Sequence, residues 1–193
     1  MTTVKIVVAY HSGFGHTERL AQSVRDGAAS VEGATTSLIR VDEIVESGWD
    51  ALDAADAIIF GSPVYMGNVS AKFAEFSEAT SKKWQTQEWK DKLAGGFVNS
   101  GGPSGDKLQA LQALTVLAGQ HGMQWVSHGV LPGGMETTAI NRLSFHLGVG
   151  TQSDVDKGAE DMAKGDLESG AGYGRRVAEA AKVVAAGRAA LAA

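Results

Sequence analysis

The chain has 193 residues, of which 44% are hydrophobic and 20% charged, and its formal net charge is -5. These values are typical of one globular domain, which we expect to span residues 1–193, and they argue against a basic surface for nucleic acid or anionic lipid. Because there is no cysteine, disulfides, thiolate nucleophiles and cysteine-ligated metal centres are excluded, and the five histidines form no helical ligand pair. No run approaches about 18 uninterrupted apolar residues and the start lacks the layout of a signal peptide, so we expect a cytoplasmic protein without a membrane span or a metal site.

Apolar runs alternate with amphipathic stretches from the first residues onward, which is the pattern of a parallel sheet flanked by helices. Val4 to Tyr10 is apolar almost throughout and is predicted as a strand covered on both faces. A helix is predicted from about His16 to Ser30, because Leu20 and Val24 recur at helical spacing. The next segments are predicted as a strand, a short helical connection, and a strand that Pro63 ends: Thr35 to Val41, Asp42 to Ala55, and Ala57 to Ser62.

The second half of the chain continues this alternation of strands and helices. Val64 to Asn68 is predicted as a turn, and a helix follows from Ser70 or Ala71 to about Ser81. Beyond it lie a polar connection, a fourth strand, a helix with Asp106 as its N-cap, and a fifth strand: Trp84 to Lys92, Leu93 to Asn99, Lys107 to His121, and Gln124 to Val130. Leu131 to Gly165 lacks periodicity, and so long a connection is usually functional or interface-forming. A last helix is predicted from Ser169 to about Ala190.

Five strands that alternate with helices predict an α/β fold. The expected architecture is a flavodoxin-like three-layer sandwich, with a five-stranded parallel sheet in the order 2-1-3-4-5 and helices on both faces. In such a sheet the ligand lies at the carboxyl edge, beside the first strand.

The stretch from His11 to Thr17 connects the first strand to the first helix and is predicted to bind an anion. The unpaired N–H groups of a helix start and the positive end of the helix dipole point at such a turn. Ser12 and Thr17 add hydroxyl donors, and Gly13 and Gly15 allow close approach of the backbone.

Other phosphate-binding motifs do not fit this stretch. A dinucleotide fingerprint would need a third glycine where Glu18 stands, and the Gly-Lys-Ser/Thr end of a P-loop is absent. A response regulator would need acidic residues at the end of the first strand, which instead ends in Ala9 and Tyr10, and a phosphatase of similar architecture would need a nucleophilic cysteine. A mononucleotide-phosphate loop whose hydroxyls meet the dianion therefore fits best.

Two further turns are expected at the same edge of the sheet. They follow the third and fourth strands, at Pro63–Asn68 and Ser100–Gly105, and both are rich in glycine or contain proline. Each turn alone is ordinary punctuation between elements, but their joint position beside His11–Thr17 predicts one ligand site.

The three loops together resemble those of the WrbA-type NAD(P)H:quinone oxidoreductases, within the flavodoxin-like FMN proteins. The resemblance rests on Ser12-x-x-Gly15-His16-Thr17, on Phe60 to Ser70, on Ser100 to Gly105, and on His121-Gly122-Met123. It implies that FMN is bound, with its phosphate on Ser12, Gly13, Phe14, Gly15, His16 and Thr17. It also implies that the flavin contacts the second loop, at Pro63, Val64, Tyr65, Met66, Gly67 and Asn68. The flavin would contact the third loop as well, at Asn99, Ser100, Gly101, Gly102, Pro103 and Ser104.

The same resemblance implies substrate-side roles for two residues. Trp84 falls where the family has an aromatic beside the quinone, and Gln120 stands where the family has the first of two histidines. An alternative interpretation with equal support is that Trp84, like Trp89, is a buried or interface aromatic residue. The chain departs from the family in lacking a long insertion after the second strand and a Gly-Thr-Pro-Tyr-Gly loop after the fifth.

The resemblance implies an FMN-dependent enzyme that transfers two electrons from NAD(P)H to a quinone, in a homodimer or homotetramer. Two alternatives remain open: a flavodoxin-type electron carrier, and an FMN-binding regulatory protein without quinone turnover. Carriers tend to be strongly acidic around the flavin, in order to dock basic partners. The modest net charge and the lysines near the second loop argue mildly against a carrier.

Overall fold

A computed structural model describes residues 2–192. Its strands are β1 (Val4–Tyr10), β2 (Ala34–Arg40), β3 (Ala57–Tyr65), β4 (Asn68–Val69), β5 (Leu93–Ser100), β6 (Gln124–Trp125) and β7 (Val149–Gln152). Its α-helices are α1 (His16–Ala29), α2 (Glu46–Asp53), α3 (Ala71–Ala79), α4 (Ser81–Thr86), α5 (Lys107–Gln120) and α6 (Lys164–Leu191). Single 3-10 turns occur at Val41–Glu43 and Ala159–Asp161.

The main sheet is parallel and has the order β2-β1-β3-β5-β6. Counting only the five strands predicted from the sequence, this order is 2-1-3-4-5, so the predicted fold class is confirmed. The short β4 pairs antiparallel with the end of β3, and β7 pairs parallel with the second half of β5.

Helices cover both faces of the sheet and bury two apolar cores. On one face α1 and α6 pack against β1 through residues such as Leu20, Val24 and Val177. On the other face Phe60, Phe73, Trp89 and Leu111 belong to the second core. The backbones of α1 and α6 approach closely at Gly174, where a Cβ would overlap the carbonyl of Val24. None of the helices within residues 2–192 is long and apolar enough to cross a membrane.

The fifth strand is shorter than predicted. It ends at Trp125 instead of Val130, because the buried Tyr173 hydroxyl enters between the strands. This hydroxyl accepts a hydrogen bond from Gly96 N at 3.0 Å and donates to Val126 O at 2.6 Å, which uses groups that a continued ladder would pair. The edge of the sheet is taken up again by β7, which lies inside the stretch predicted as an irregular connection.

The third strand is longer than predicted, since it continues through Pro63 to Tyr65. Proline is tolerated there because β1 has already ended: its ladder with β3 stops at the pair Tyr10 and Gly61.

Other element boundaries also differ from the predictions. Asp106 is the N-cap residue of α5, as predicted, but it has φ 52° and its side chain makes no capping hydrogen bond. The polar connection after α3 begins with a separate short helix, α4, which contains Trp84. The last helix begins at Lys164, five residues before the predicted start at Ser169.

Candidate functional site

A cavity of about 550 Å³ lies at the carboxyl ends of β1, β3 and β5. The strand order reverses between β1 and β3, which is where parallel α/β sheets bind their ligands. All three predicted loops contribute to its wall, together with a fourth segment after β7. The lining residues are Gly13, Phe14, His16, Thr17, Pro63, Val64, Tyr65, Asn99, Ser100, Gly101, Ser153, Asp154, Val155 and Lys157.

The first loop is folded around the hydroxyl of Ser12. Ser12 Oγ accepts hydrogen bonds from the backbone N–H groups of Gly15 and Glu18, both at 3.1 Å. Ser12 is itself buried and does not line the cavity, and its two hydrogen bonds brace the loop from within. Gly15 has φ 88°, a left-handed conformation that favours glycine, and α1 begins at the next residue.

The same loop leaves several backbone donors without a partner. Among residues 2–192, no hydrogen-bond acceptor is found for the N–H groups of Gly13, Phe14, His16 and Thr17. These groups lie at the positive end of the α1 dipole. Gly13 lies against the Tyr65 hydroxyl, which a Cβ at this position would overlap. Unpaired donors beside closely approached backbone fit a phosphate dianion.

The second loop is a tight hairpin between β3 and β4. Met66 and Gly67 form its two-residue turn with φ 50° and 78°, and both values lie in the left-handed region. Tyr65 lines the cavity, whereas Met66 is fully exposed at the tip and does not line it. Gly67 and Asn68 also lie outside the cavity wall, although they form the hairpin that holds Tyr65 in place.

The third loop begins at Asn99, whose side chain is buried beside the cavity. Asn99 Oδ1 accepts hydrogen bonds from Thr151 Oγ1 at 2.8 Å and Ser153 Oγ at 2.9 Å. The two hydroxyls orient the carboxamide, and its amino group has no acceptor within the described part of the chain. Ser100 and Gly101 line the cavity, whereas Gly102, Pro103 and Ser104 lie behind them, toward the start of α5.

The fourth wall, residues 153–157, was missed by the sequence reasoning. It continues from β7 and is held to the first loop by a 3.0 Å hydrogen bond between His16 Nε2 and Lys157 O. Asp154 and Lys157 form an ion pair at 2.6 Å on the exposed side of this segment. The signal that could have revealed it is Val149-Gly150-Thr151, a short strand-like run that is followed by Ser153 and Asp154.

A polar network below the cavity joins the first two loops. His11 Nδ1 lies 2.8 Å from Ser70 Oγ, and His11 Nε2 lies 3.8 Å from Asp42 Oδ2. Burial lowers the pKa of His11, so the neutral ring is favoured. The three residues have the order of a hydrolase triad, but Ser70 is 1% exposed and caps α3 through Phe73 N. Their role is therefore structural.

The two predicted substrate-side residues are not brought to this cavity within one chain. Gln120 is the last residue of α5, whose first residue lies at the carboxyl edge; a helix of this length is about 21 Å long. Trp84 lies on α4, before the start of β5, and is 45% exposed. Both side chains are thus at the amino edge of the sheet, opposite the cavity.

A cavity with unpaired N–H donors at the strand reversal of a parallel sheet defines a mononucleotide-binding protein of the flavodoxin type. The chain belongs to the family of NADPH-dependent FMN reductases, whose model matches residues 3–138. Its relatives place it with the WrbA-type, flavodoxin-like members, so the resemblance drawn from the loops is confirmed.

Three relatives illustrate this membership. Flavodoxin FldP of Pseudomonas aeruginosa (strain UCBPP-PA14) is 44% identical over 180 residues, which are 90% of this chain and 95% of the relative. Quinone-oxidoreductase QR2 of Triphysaria versicolor is 36% identical over 143 residues, covering 65% of this chain and 69% of the relative. The crystal structure of a WrbA-like flavodoxin from Agrobacterium tumefaciens superposes with a TM-score of 0.76 at 44% identity, over 94% of this chain and 99% of that one.

Proposed function

We propose that the chain is an FMN-dependent oxidoreductase that transfers two electrons from NAD(P)H to a quinone. The observation that carries the proposal is the set of unpaired N–H groups of the first loop, which open into a cavity lined by Phe14 and Tyr65. When bound there, FMN would supply the redox chemistry by accepting a hydride and returning two electrons. The chain's own residues bind, orient and exclude water.

The phosphate of FMN would be held by the first loop. The N–H groups of Gly13, Phe14, His16 and Thr17 and the Thr17 hydroxyl provide the donors. Ser12 would keep these donors in place through its bonds to Gly15 and Glu18. The flavin ring would lie along Val64 and Tyr65, with its polar edge toward Asn99 to Gly101.

The cavity wall favours turnover of a planar substrate. Phe14 is 81% exposed and Val155 is 90% exposed at its rim, so a nicotinamide or quinone ring would find an apolar contact on either side. Among the lining residues, Asp154 and Lys157 carry opposite charges and pair with each other. The lining residues themselves therefore carry no net acidic charge, whereas a carrier docks a basic partner through an acidic surface.

A flavodoxin-type carrier is the second candidate, and a specific observation favours it. The Pseudomonas aeruginosa relative that matches along 95% of its length is named a flavodoxin. The quinone assignment draws on relatives that cover a smaller part of this chain.

We further propose that Trp84 and Gln120 act on the substrate side only in an oligomer. Because both lie at the amino edge, each would have to reach the cavity of a second copy in a homodimer or homotetramer. This proposal is separate from FMN binding, which one chain provides.

Anaerobic stopped-flow spectroscopy of the FMN-loaded protein tests the main proposal. We expect flavin absorbance to bleach with NADH or NADPH and to return when a benzoquinone is added. Bound FMN that bleaches with neither nucleotide would overturn the enzyme assignment. A stable one-electron form during dithionite titration, without nucleotide oxidation, would favour the carrier.

A further inference from the structure

Lys107, the first residue of α5, is a buried cation that the FMN-binding scheme above leaves unused. Its side chain is wholly buried. Lys107 Nζ donates to the carbonyl oxygens of Gly102, of Pro103 at 3.2 Å and of Ser104 at 3.5 Å. Within residues 2–192 it forms no ion pair with a carboxylate.

This position is unfavourable for a positive charge. The start of a helix is the positive end of its dipole, and a buried ammonium without a counter-ion loses its hydration. Burial lowers the pKa of Lys107 to about 8, opposed by the charge of Asp166 and assisted by that of Arg142. Asp166 cannot neutralise it fully, because its oxygens already accept from Arg142 at 2.8 and 2.9 Å and from Gln152 N at 3.0 Å.

Lys107 also sets the direction of the peptide groups in the third loop. In a trans peptide the N–H points away from the carbonyl. Since the carbonyls of residues 102–104 converge on Nζ, the N–H groups of Ser104 and Gly105 are turned away from it. Gln152 Nε2 holds the carbonyl of Gly101 in a similar way, at 3.1 Å. One buried cation thus organises the loop that continues from the cavity wall at Ser100 and Gly101.

We propose that Lys107 is a positioning residue that favours the reduced form of the bound flavin. Two-electron reduction adds negative charge at the polar edge of the flavin, which the third loop would face. This placement of the flavin rests on the proposed function. The buried charge behind Gly102 and the fixed loop dipoles would stabilise that negative charge without contacting it. The cost of burying the cation would then be offset in the reduced holoprotein.

The test compares FMN binding and the midpoint potential in wild type, Lys107→Met and Lys107→Arg. Lys82→Met, on the exposed surface of α4, is the control for loss of one positive charge far from the cavity. The methionine variant should lower the ratio of affinities for reduced and oxidised FMN at least tenfold. For a two-electron couple this is a fall of about 30 mV in potential. Lys107→Arg keeps the charge, so its midpoint potential should stay closer to that of wild type. The midpoint potential of Lys82→Met should equal that of wild type.

The dependence of the wild-type potential on pH gives a second readout that needs no variant. Negative charge on the reduced flavin should raise the pKa of Lys107, so reduction should take up part of an additional proton above about pH 8. The affinity ratio should then fall by up to an additional tenfold per pH unit, and Lys107→Met should lack this additional slope.

The outcomes separate the two proposals. A wild-type protein that does not retain FMN overturns the proposed function and this inference with it. If FMN is retained, and wild type and Lys107→Met have equal midpoint potentials and equal pH slopes, only the proposed role of Lys107 is overturned. If Lys107→Met does not fold, as judged by circular dichroism, an absent wild-type slope above pH 8 still overturns the inference, and a present one supports it.

Discussion

Replacement of Thr17 by valine tests whether the first loop holds the phosphate. Thr17 is 2% exposed, lines the cavity, and its hydroxyl has no hydrogen-bond partner among residues 2–192. Valine has nearly the same shape, so the apo protein loses no internal bond. In the complex, a hydrogen bond to a charged group is worth about 1.5–3 kcal/mol. Each 1.4 kcal/mol is tenfold in affinity, so the FMN dissociation constant should rise roughly 10- to 150-fold.

Ser12→Ala is the matched comparison, because its hydroxyl is used inside the loop. Loss of its bonds to Gly15 and Glu18 should lower the free energy of unfolding of the apo protein by about 0.5–2 kcal/mol. Thr17→Val should leave the apo urea midpoint unchanged while weakening FMN binding, measured by quenching of flavin fluorescence. Binding within twofold of wild type in Thr17→Val would refute the assignment of the phosphate to this loop.

Three further predictions concern packing, pH and the amino edge. Gly174→Ala should lower the free energy of unfolding, measured by urea denaturation, by about 1–3 kcal/mol because the added Cβ would overlap the α1 backbone. Gly172→Ala, where no atom lies near the added Cβ, should raise it by about 0.4–1 kcal/mol. Equal effects of the two substitutions would contradict the close packing of α6 on α1. Burial lowers the pKa of His121 below its ordinary 6.5, so the unfolded state binds more protons than the folded state as the pH drops below about 6.5, and stability should fall there. His121→Gln should reduce this fall, and an unchanged fall in this variant would argue against the role of His121. Trp84→Ala should leave the FMN dissociation constant within twofold of that of wild type. Any rise that it causes in the KM for a quinone should disappear when the protein is diluted to monomers, which light scattering follows. A large loss of FMN affinity in the monomer would contradict the position of Trp84 at the amino edge.

The strands and loops that follow from composition were accessible to sequence reasoning. β1 and β5 are buried along almost their whole length and therefore consist mostly of apolar or small residues, as is typical of central parallel strands. The loops after β1, β3 and β5 contain glycine where the backbone turns, as at Gly15 and Gly67. Their meeting at one edge follows from the topology, since the carboxyl ends of parallel strands lie together.

The features that were missed depend on tertiary contacts, for which the sequence carries at most a short local signal. A lysine at a helix start is usually solvated, and only the convergence of three carbonyls shows that Lys107 is not. β7 has four residues, too few for a periodic pattern. The predicted end of β6 was wrong because the strand ends where Tyr173 bonds to Val126, and Tyr173 lies 47 residues further along the chain.

The interruption of the fifth strand is linked to the way the cavity is built. Where the Tyr173 hydroxyl bonds to Val126 and Gly96, the chain leaves the sheet, and it returns as β7 beside the second half of β5. Only this return brings Thr151 and Ser153 to the Asn99 carboxamide and places residues 153–157 against His16. A continuous strand from Gln124 to Val130 would occupy the edge that β7 uses, and the cavity would lose its fourth wall. The irregular edge of the sheet is therefore part of the candidate site, because it joins the third loop to the first across the mouth of the cavity.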